Sequence, residues 1–308
     1  MEEILRLFPT DIQTVIKRKI ASRWSMLQEI RVRLNQPIEL IFDQGIEWIT
    51  QARPNKQDNV YIINQLSEFS LYRMEDELRE GYITIEGGHR VGIAGKVNTV
   101  NGTVKAIQYI TFLNIRIAKE KIGVGQKVIP YLYENGFLNT LFVGSPQSGK
   151  TTLIRDVIRI ISTGWNHIPP KKVGVVDERS EIAACLKGIP QHNLGKRTDV
   201  LDACPKAEGM MMLIRSMSPE ILVVDEIGSD KDVQALTNAI NAGVTVICTI
   251  HGQSLDELKK RPSILPLLQK KVFRRIVLLS GQSSPGTIHS IYDELEKNIY
   301  FKNGVLAK

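Results

Sequence analysis

Two textures of hydrophobic patterning divide the chain near residue 120. Before it, short helical and strand-like patterns are mixed. Apolar positions recur at helical spacing over 2–31, with a break at Phe8-Pro9 and with Thr10 and Asp11 as caps. The stretches EIRVRLNQPIELIF (29–42) and IEWIT (46–50) then read as strands, and Asp43-Gln44-Gly45 between them is a hairpin turn. A helix is predicted over 61–80, followed by two hairpins that turn at Gly87-Gly88 and Asn101-Gly102. Together these predict a small α+β domain over residues 1–120. The stretch AKEKIGVGQKVIPYL (118–132), with two glycines and three lysines, reads as a linker, bounded at 121–136.

From residue 137 to 308 one unit repeats. Compact apolar runs stand at TLFVG (140–144), KVGVVD (172–177), EILVVD (220–225), VTVICTI (244–250) and RRIVLLS (274–280). The first four each lead into a turn and then a helical pattern. Such alternation indicates an α/β fold, with a mostly parallel sheet covered on both faces. The tail TIHSIYDELEKNIYFKNG is expected to form a terminal hairpin.

The turn after the first of these runs carries the sharpest chemical signal. Gly144-x-x-x-x-Gly149-Lys150-Thr151 lies between a buried-strand pattern and a helix, the context that a phosphate-binding loop requires. Backbone N–H groups along Gly144, Ser145, Pro146, Gln147, Ser148, Gly149, Lys150, Thr151 and Thr152 would surround the phosphates of a nucleoside triphosphate, proline excepted. Lys150 would reach the β- and γ-phosphates, and the Thr151 hydroxyl would bind Mg²⁺. The helix beginning near Gly149 adds its positive end. In the third run, Asp225 would approach Mg²⁺ through water, and Glu226 would orient or deprotonate the attacking water. The second run ends in Asp177-Glu178-Arg179-Ser180-Glu181, an acidic cluster that suits either a helix N-terminus or the positioning of metal and water. The fourth ends in Thr249-Ile250-His251-Gly252, which would bring His251 beside the γ-phosphate at a strand's carboxyl end. A strand lying in sequence between the phosphate loop and the Asp-Glu run is the arrangement of RecA-like and AAA-type ATPases.

Composition narrows the setting. Hydrophobic residues make up 43% of the chain and charged residues 24%, as in packed globular proteins rather than disordered ones. The net charge of +7 admits nucleic acid or an anionic membrane surface as partner without selecting one. The densest basic patches, near Lys17–Arg23 and Lys259–Ser263, read as solvated helix faces. Cys185, Cys204 and Cys248 show no metal-ligand spacing and suit a reducing compartment. With no signal-peptide pattern and no apolar run of about 20 residues, a cytoplasmic protein is expected.

The four boxes in this order, with LIRSMSPEI (213–221) leading into Asp225-Glu226, resemble the secretion ATPases of type II and type IV systems. EIRVRLNQPIEL, EGGHRVGIAGKV and VDERSEI (176–182) extend the resemblance over the whole chain, to a sporulation branch of that superfamily in endospore formers. The resemblance implies a RecA-like ATPase domain that assembles as a homo-oligomeric ring, a hexamer. It further implies service to membrane-protein components of a channel on the mother-cell side, with peripheral recruitment to the membrane by a partner. Transferred residue by residue, Lys150 and Thr151 hold phosphates and Mg²⁺, Glu226 is the Walker B acid, His251 belongs to the His box, and Asp177 and Glu178 fall in the Asp box. Arginines of the N-terminal half reach the nucleotide in that family, and Arg90 and Arg116 are the candidates here. Two departures stand out: those enzymes often lack the acid present here as Asp225, and usually carry proline where Arg179 stands. An alternative is a RecA-like ATPase stimulated by nucleic acid. Aromatics are only 6% of the chain and not clustered with Lys or Arg, so direct nucleic-acid binding is not expected. A third reading is a nucleotide-gated scaffold that barely hydrolyses.

Overall fold

The computed structural model describes residues 1–67, 81–100, 102–280, 285–302 and 305–306. They fall into two compact units, Met1–Lys119 and Glu120–Lys308. In the first, α1 (Glu2–Leu5) and α2 (Thr10–Ile20) precede a 3₁₀ turn and three strands, β1 (Leu27–Arg33), β2 (Ile38–Phe42) and β3 (Gly45–Ile49). The helical pattern expected to reach residue 31 stops at Ile20. There the chain reverses through Ala21 at φ 51°, and from Glu29 the pattern switches to strand alternation, with Ile30 and Val32 buried. Thr10 and Asp11 are not caps: Pro9 holds the N-cap position, without a side-chain bond, and both residues lie in the first turn.

α3 (Lys56–Leu66) starts earlier than expected because Asn55 and Asp58 form a capping box. The Asn55 side chain accepts from Gln57 N at 2.7 Å, and the Asp58 carboxylate accepts from Asn55 N at 2.8 Å. The remainder of the predicted 61–80 helix, beyond Ser67, lies outside the described residues. β4 (Tyr82–Thr84), β5 (Arg90–Val100) and β6 (Thr103–Arg116) complete an antiparallel sheet of order β3-β2-β1-β6-β5-β4. Gly87 and Gly88, both at positive φ, make the tight turn between β4 and β5. Ile4, Phe8, Ile16, Ile30, Leu40, Ile62 and Ile115 centre this unit's core.

In the second unit the predicted linker is not a linker. Within 121–136 a 3₁₀ turn (Val124–Lys127) and α4 (Ile129–Leu132) fold onto the body, and Val128, Ile129 and Leu132 are wholly buried. Glycines that suggested flexibility serve close approach instead. A Cβ at Gly125 would stand 3.1 Å from the Asp156 carboxylate, which accepts the Gly125 N–H at 2.7 Å. Beyond it, β7 (Thr140–Gly144), α5 (Lys150–Thr163), β8 (Val173–Asp177), β9 (Thr198–Asp202), α6 (Lys206–Met217), β10 (Ile221–Val224), α7 (Asp230–Asn241) and β11 (Thr245–His251) follow. The short helices α8 (Leu255–Leu258) and α9 (Leu265–Gln269) lead to β12 (Arg275–Leu279) and β13 (Ile288–Asp293). The sheet order is β13-β12-β7-β11-β10-β8-β9, and β13 alone runs antiparallel. The tail ends in the small pair β14 (Phe301–Lys302) and β15 (Val305–Leu306).

Period-two alternation divides each central strand between two cores. Phe142, Val175, Val223, Ile247 and Val277 face α5. Leu141, Val176, Leu222, Cys248 and Ile276 join α6 and α7 on the other side. One expectation is corrected. No helix directly follows β8; an irregular stretch leads into β9, whose sequence TDVLD is too polar and too short an apolar run to have been anticipated. β8 separates the phosphate loop from the Asp-Glu run in sequence, as expected; in space it lies outside β10, while β11 sits between β7 and β10.

Replacing Asp156 tests how the Gly125 turn is fastened. The carboxylate is 3% exposed and also pairs with Arg159 at 2.8 Å. Asp156→Ala is expected to cost about 2–3 kcal/mol in urea unfolding, the range for charged hydrogen bonds with partners left buried.

Candidate active site

Gly144 and His251 are register partners at the carboxyl ends of β7 and β11, so the phosphate-loop entry and the histidine share one level of the sheet. β10 pairs with β11 on the other side through Val224 and Cys248, which brings Asp225 and Glu226 to the same edge. Thr249, buried in β11, joins them: its hydroxyl donates to Asp225 Oδ1 at 3.3 Å and accepts from Glu226 N at 3.1 Å. Sequence reading passed over Thr249; a hydroxyl inside an otherwise apolar strand was the available signal.

The loop's backbone explains its glycines. Gln147 and Gly149 both take positive φ, at 62° and 88°. A Cβ on Gly149 would lie 2.3 Å from Gly286 N, whose N–H donates to Ser148 O at 2.7 Å. A Cβ on Gly144 would lie 2.4 Å from the Ser148 hydroxyl. That hydroxyl is buried and makes no hydrogen bond among the described residues, as suits a loop built to meet a polar ligand. Thr151 and Thr152 follow on the first turn of α5, partly exposed, where helix N–H groups lack intrahelical partners. Glycine positions closed to any side chain, an orphaned hydroxyl and a helix N-terminus together fit a triphosphate. The Thr151 hydroxyl, on the first turn of α5, and the Asp225 carboxylate, at the end of β10, are oxygen ligands of the kind Mg²⁺ takes together with phosphates and water.

Lys150 is 8% exposed. Its ammonium donates to Gly144 O at 2.7 Å, to Ser145 O at 3.0 Å and to His251 Nδ1 at 3.0 Å. An ammonium has no lone pair, so Nδ1 accepts and Nε2 carries the proton toward Glu226 Oε1, 3.0 Å away. Burial draws the Lys150 pKa down, against the charges of Glu226, Asp225 and Glu181. The second Glu226 oxygen lies 3.5 Å from the Arg179 guanidinium, a partner sequence reading did not assign. The result is one chain: Lys150, His251, Glu226, Arg179.

Asp177 and Glu178 stand outside that chain. Asp177 is wholly buried, and its carboxylate accepts N–H groups from Glu181 (2.8 Å), Ile182 (3.0 Å) and Ala183 (2.8 Å). From the opposite side Arg155 of α5 donates to the carbonyls of Ile182 (2.7 Å) and Glu181 (2.8 Å). Glu178 is ion-paired with Lys206 at the start of α6. Arg90 and Arg116 belong to the first unit, as register partners on β5 and β6. The Arg90 guanidinium lies over the Tyr82 ring at 4.8 Å, and Arg116 is 4.0 Å from Glu29.

Sheet order and loop geometry define a RecA-like P-loop fold. Two solved structures bear this out. The Legionella pneumophila ATPase DotB is 14% identical at a TM-score of 0.58, covering 89% of this chain and 76% of its own. The pilus retraction motor PilT with bound ADP is 15% identical at a TM-score of 0.60, covering 90% and 77%. Over residues 1–299 the sequence matches Sporulation stage III, protein AA, and the chain belongs to that family. It is 49% identical over 294 residues to the stage III sporulation protein AA of Bacillus subtilis (strain 168), covering 96% of this chain and 95% of that protein. No helix among the described residues is long and apolar enough to cross a membrane.

Burial pushes the Asp177 carboxyl up to about 6 from its ordinary 3.8; three amides pull it down, and Asp225 adds to the rise. A raised folded-state value means that the stability contribution is fully present below about pH 4 and is lost as pH rises through about 6. Relative to Asp177→Asn, the protein's unfolding free energy is expected to fall by about 2 kcal/mol between pH 4 and pH 7 in urea titrations. A flat difference would mean that the amides balance burial, and a rise that they outweigh it.

Proposed function

We propose that the protein hydrolyses ATP to drive conformational work in a secretion-like channel assembly during endospore formation, on the mother-cell side. The observation that carries this reading is the unbroken chain Lys150–His251–Glu226 at the carboxyl edge of β7, β11 and β10. It ties a phosphate-binding cation to an acid able to activate water. In this reading the loop amides and Lys150 hold the β- and γ-phosphates. Thr151, with Asp225 through water, holds Mg²⁺, which supplies charge neutralisation on the phosphates. Glu226 accepts the proton of the water that attacks the γ-phosphorus, and the bond to the β–γ bridging oxygen breaks to release ADP and phosphate. His251 reports the phosphate-bound position of Lys150 to Glu226. Asp177 holds the Glu181–Ala183 loop rather than acting as base, and Glu178 anchors to α6. Arg90 and Arg116 contribute charge to a nucleotide site within a homo-oligomeric ring, a hexamer, which meets membrane-protein partners of the channel. The family membership and the fold support this reading.

Glu226→Gln is expected to bind ATP with unchanged affinity while turnover falls at least 100-fold, within the span of general-base effects. Lys150→Ala is expected to lose ATP binding outright. Mass measured with and without ATP tests the ring; a chain that stays monomeric with ATP at high concentration overturns it. Unchanged turnover in Glu226→Gln, with assembly abolished in Lys150→Ala, would replace the motor with a nucleotide-gated scaffold. Stimulation by single-stranded DNA, steeply lost with salt, would replace the channel with nucleic acid.

A further inference from the structure

The β5–β6 hairpin outgrows its sheet. β4 pairs with β5 only over Arg90–Gly92, and β1 pairs with β6 only over Phe112–Arg116. From Gly95 to Tyr109 the two strands pair with each other alone among the described strands, extending roughly 20 Å at the usual rise per residue. Apolar side chains along this ribbon stand in solvent: Val97 43% exposed, Val100 52%, Val104 49% and Tyr109 59%, with Phe112 at its base 49%. The charge along the ribbon's own sequence is of one sign. From Gly87 through Lys119 the sequence holds no Asp or Glu; Lys96 and Lys105 lie on the ribbon, while at its base Arg116 and Lys119 approach Glu29 and Asp43.

We infer that this ribbon is a docking element for an anionic lipid surface. Apolar side chains flanked by lysines are the chemistry that enters a headgroup layer, with valine and tyrosine at the apolar boundary and the ammonium groups at the phosphates. Two features of the ribbon disfavour other occupants. Register breaks at Ala94/Gly95, Lys96/Val97 and Asn98/Thr99 twist both edges, and Lys96 and Lys105 charge them, which opposes addition of a further protein strand. The Lys96 ammonium lies over one face of the Tyr109 ring, 6.0 Å from its centre, and competes there with a stacking nucleic-acid base. The inference is independent of ATP hydrolysis. It gives the chain a membrane contact of its own, beside recruitment by any partner.

The test is co-sedimentation of the full-length protein with phosphatidylcholine vesicles, with and without phosphatidylglycerol. Binding is expected only with phosphatidylglycerol and is expected to weaken as salt rises. Lys96→Glu with Lys105→Glu is expected to weaken it by about tenfold or more, given the attraction per lysine near an anionic leaflet. Val100→Asp, beside the turn and away from the core, is expected to weaken it while leaving the circular dichroism spectrum unchanged. The inference is overturned if the parent protein ignores phosphatidylglycerol, or if both variants bind as the parent does. It is also overturned if the variants change oligomer mass or oligonucleotide binding while vesicle binding stays intact.

Discussion

Parallel register between β7, β11 and β10 is the constraint on which the candidate site depends. Lys150, Asp225-Glu226 and His251 belong to three separate segments of sequence, and no local preference could bring them together. The sheet does so because each strand is apolar on both faces, leaving helices to cover it and polar residues to collect at the strand ends. A slip of one residue between β7 and β11 would move Gly144 away from His251 and exchange the two cores, so the fit of side chains within each core enforces the site's geometry.

Within that frame the electrostatics are economical in ions. Lys150 is buried, yet two loop carbonyls, the imidazole and the nearby carboxylates Glu226 and Asp225 offset its loss of water. Asp177 is buried more deeply still, and three loop amides hydrogen-bond its carboxylate. The three acids at neighbouring strand ends therefore sit in different environments. Asp225 and Glu226 face the lysine and histidine, whereas Asp177 faces peptide groups.

Much of this was legible in the sequence. The five apolar runs from 140 onward are all strands, and the phosphate loop, Asp225-Glu226 and His251 converge as their positions at strand ends implied. Features carried by tertiary contact were not legible. β9 is an edge strand with half-polar composition, so its pairing with β8 leaves no apolar signature. Residues 121–136 were read as flexible because glycine is equally the mark of close packing, and only the buried Asp156 decides between the two. Asp177 and Glu226 look alike as acids after an apolar run. Their difference lies in what the chain does next, since the residues after Asp177 curl back to present amides to it.

The Glu181–Ala183 segment is held from two sides, its N–H groups by Asp177 and two of its carbonyls by Arg155. Arg155 stands on α5, the helix that begins at the phosphate loop, while Asp177 belongs to the sheet. The segment is thus a strut between helix and sheet, assembled during folding. Arg179 is mounted at one end of that strut, so its approach to Glu226 requires little further loss of backbone entropy. The helix that begins with Lys150 therefore also carries, through Arg155, a tie to the segment next to Arg179.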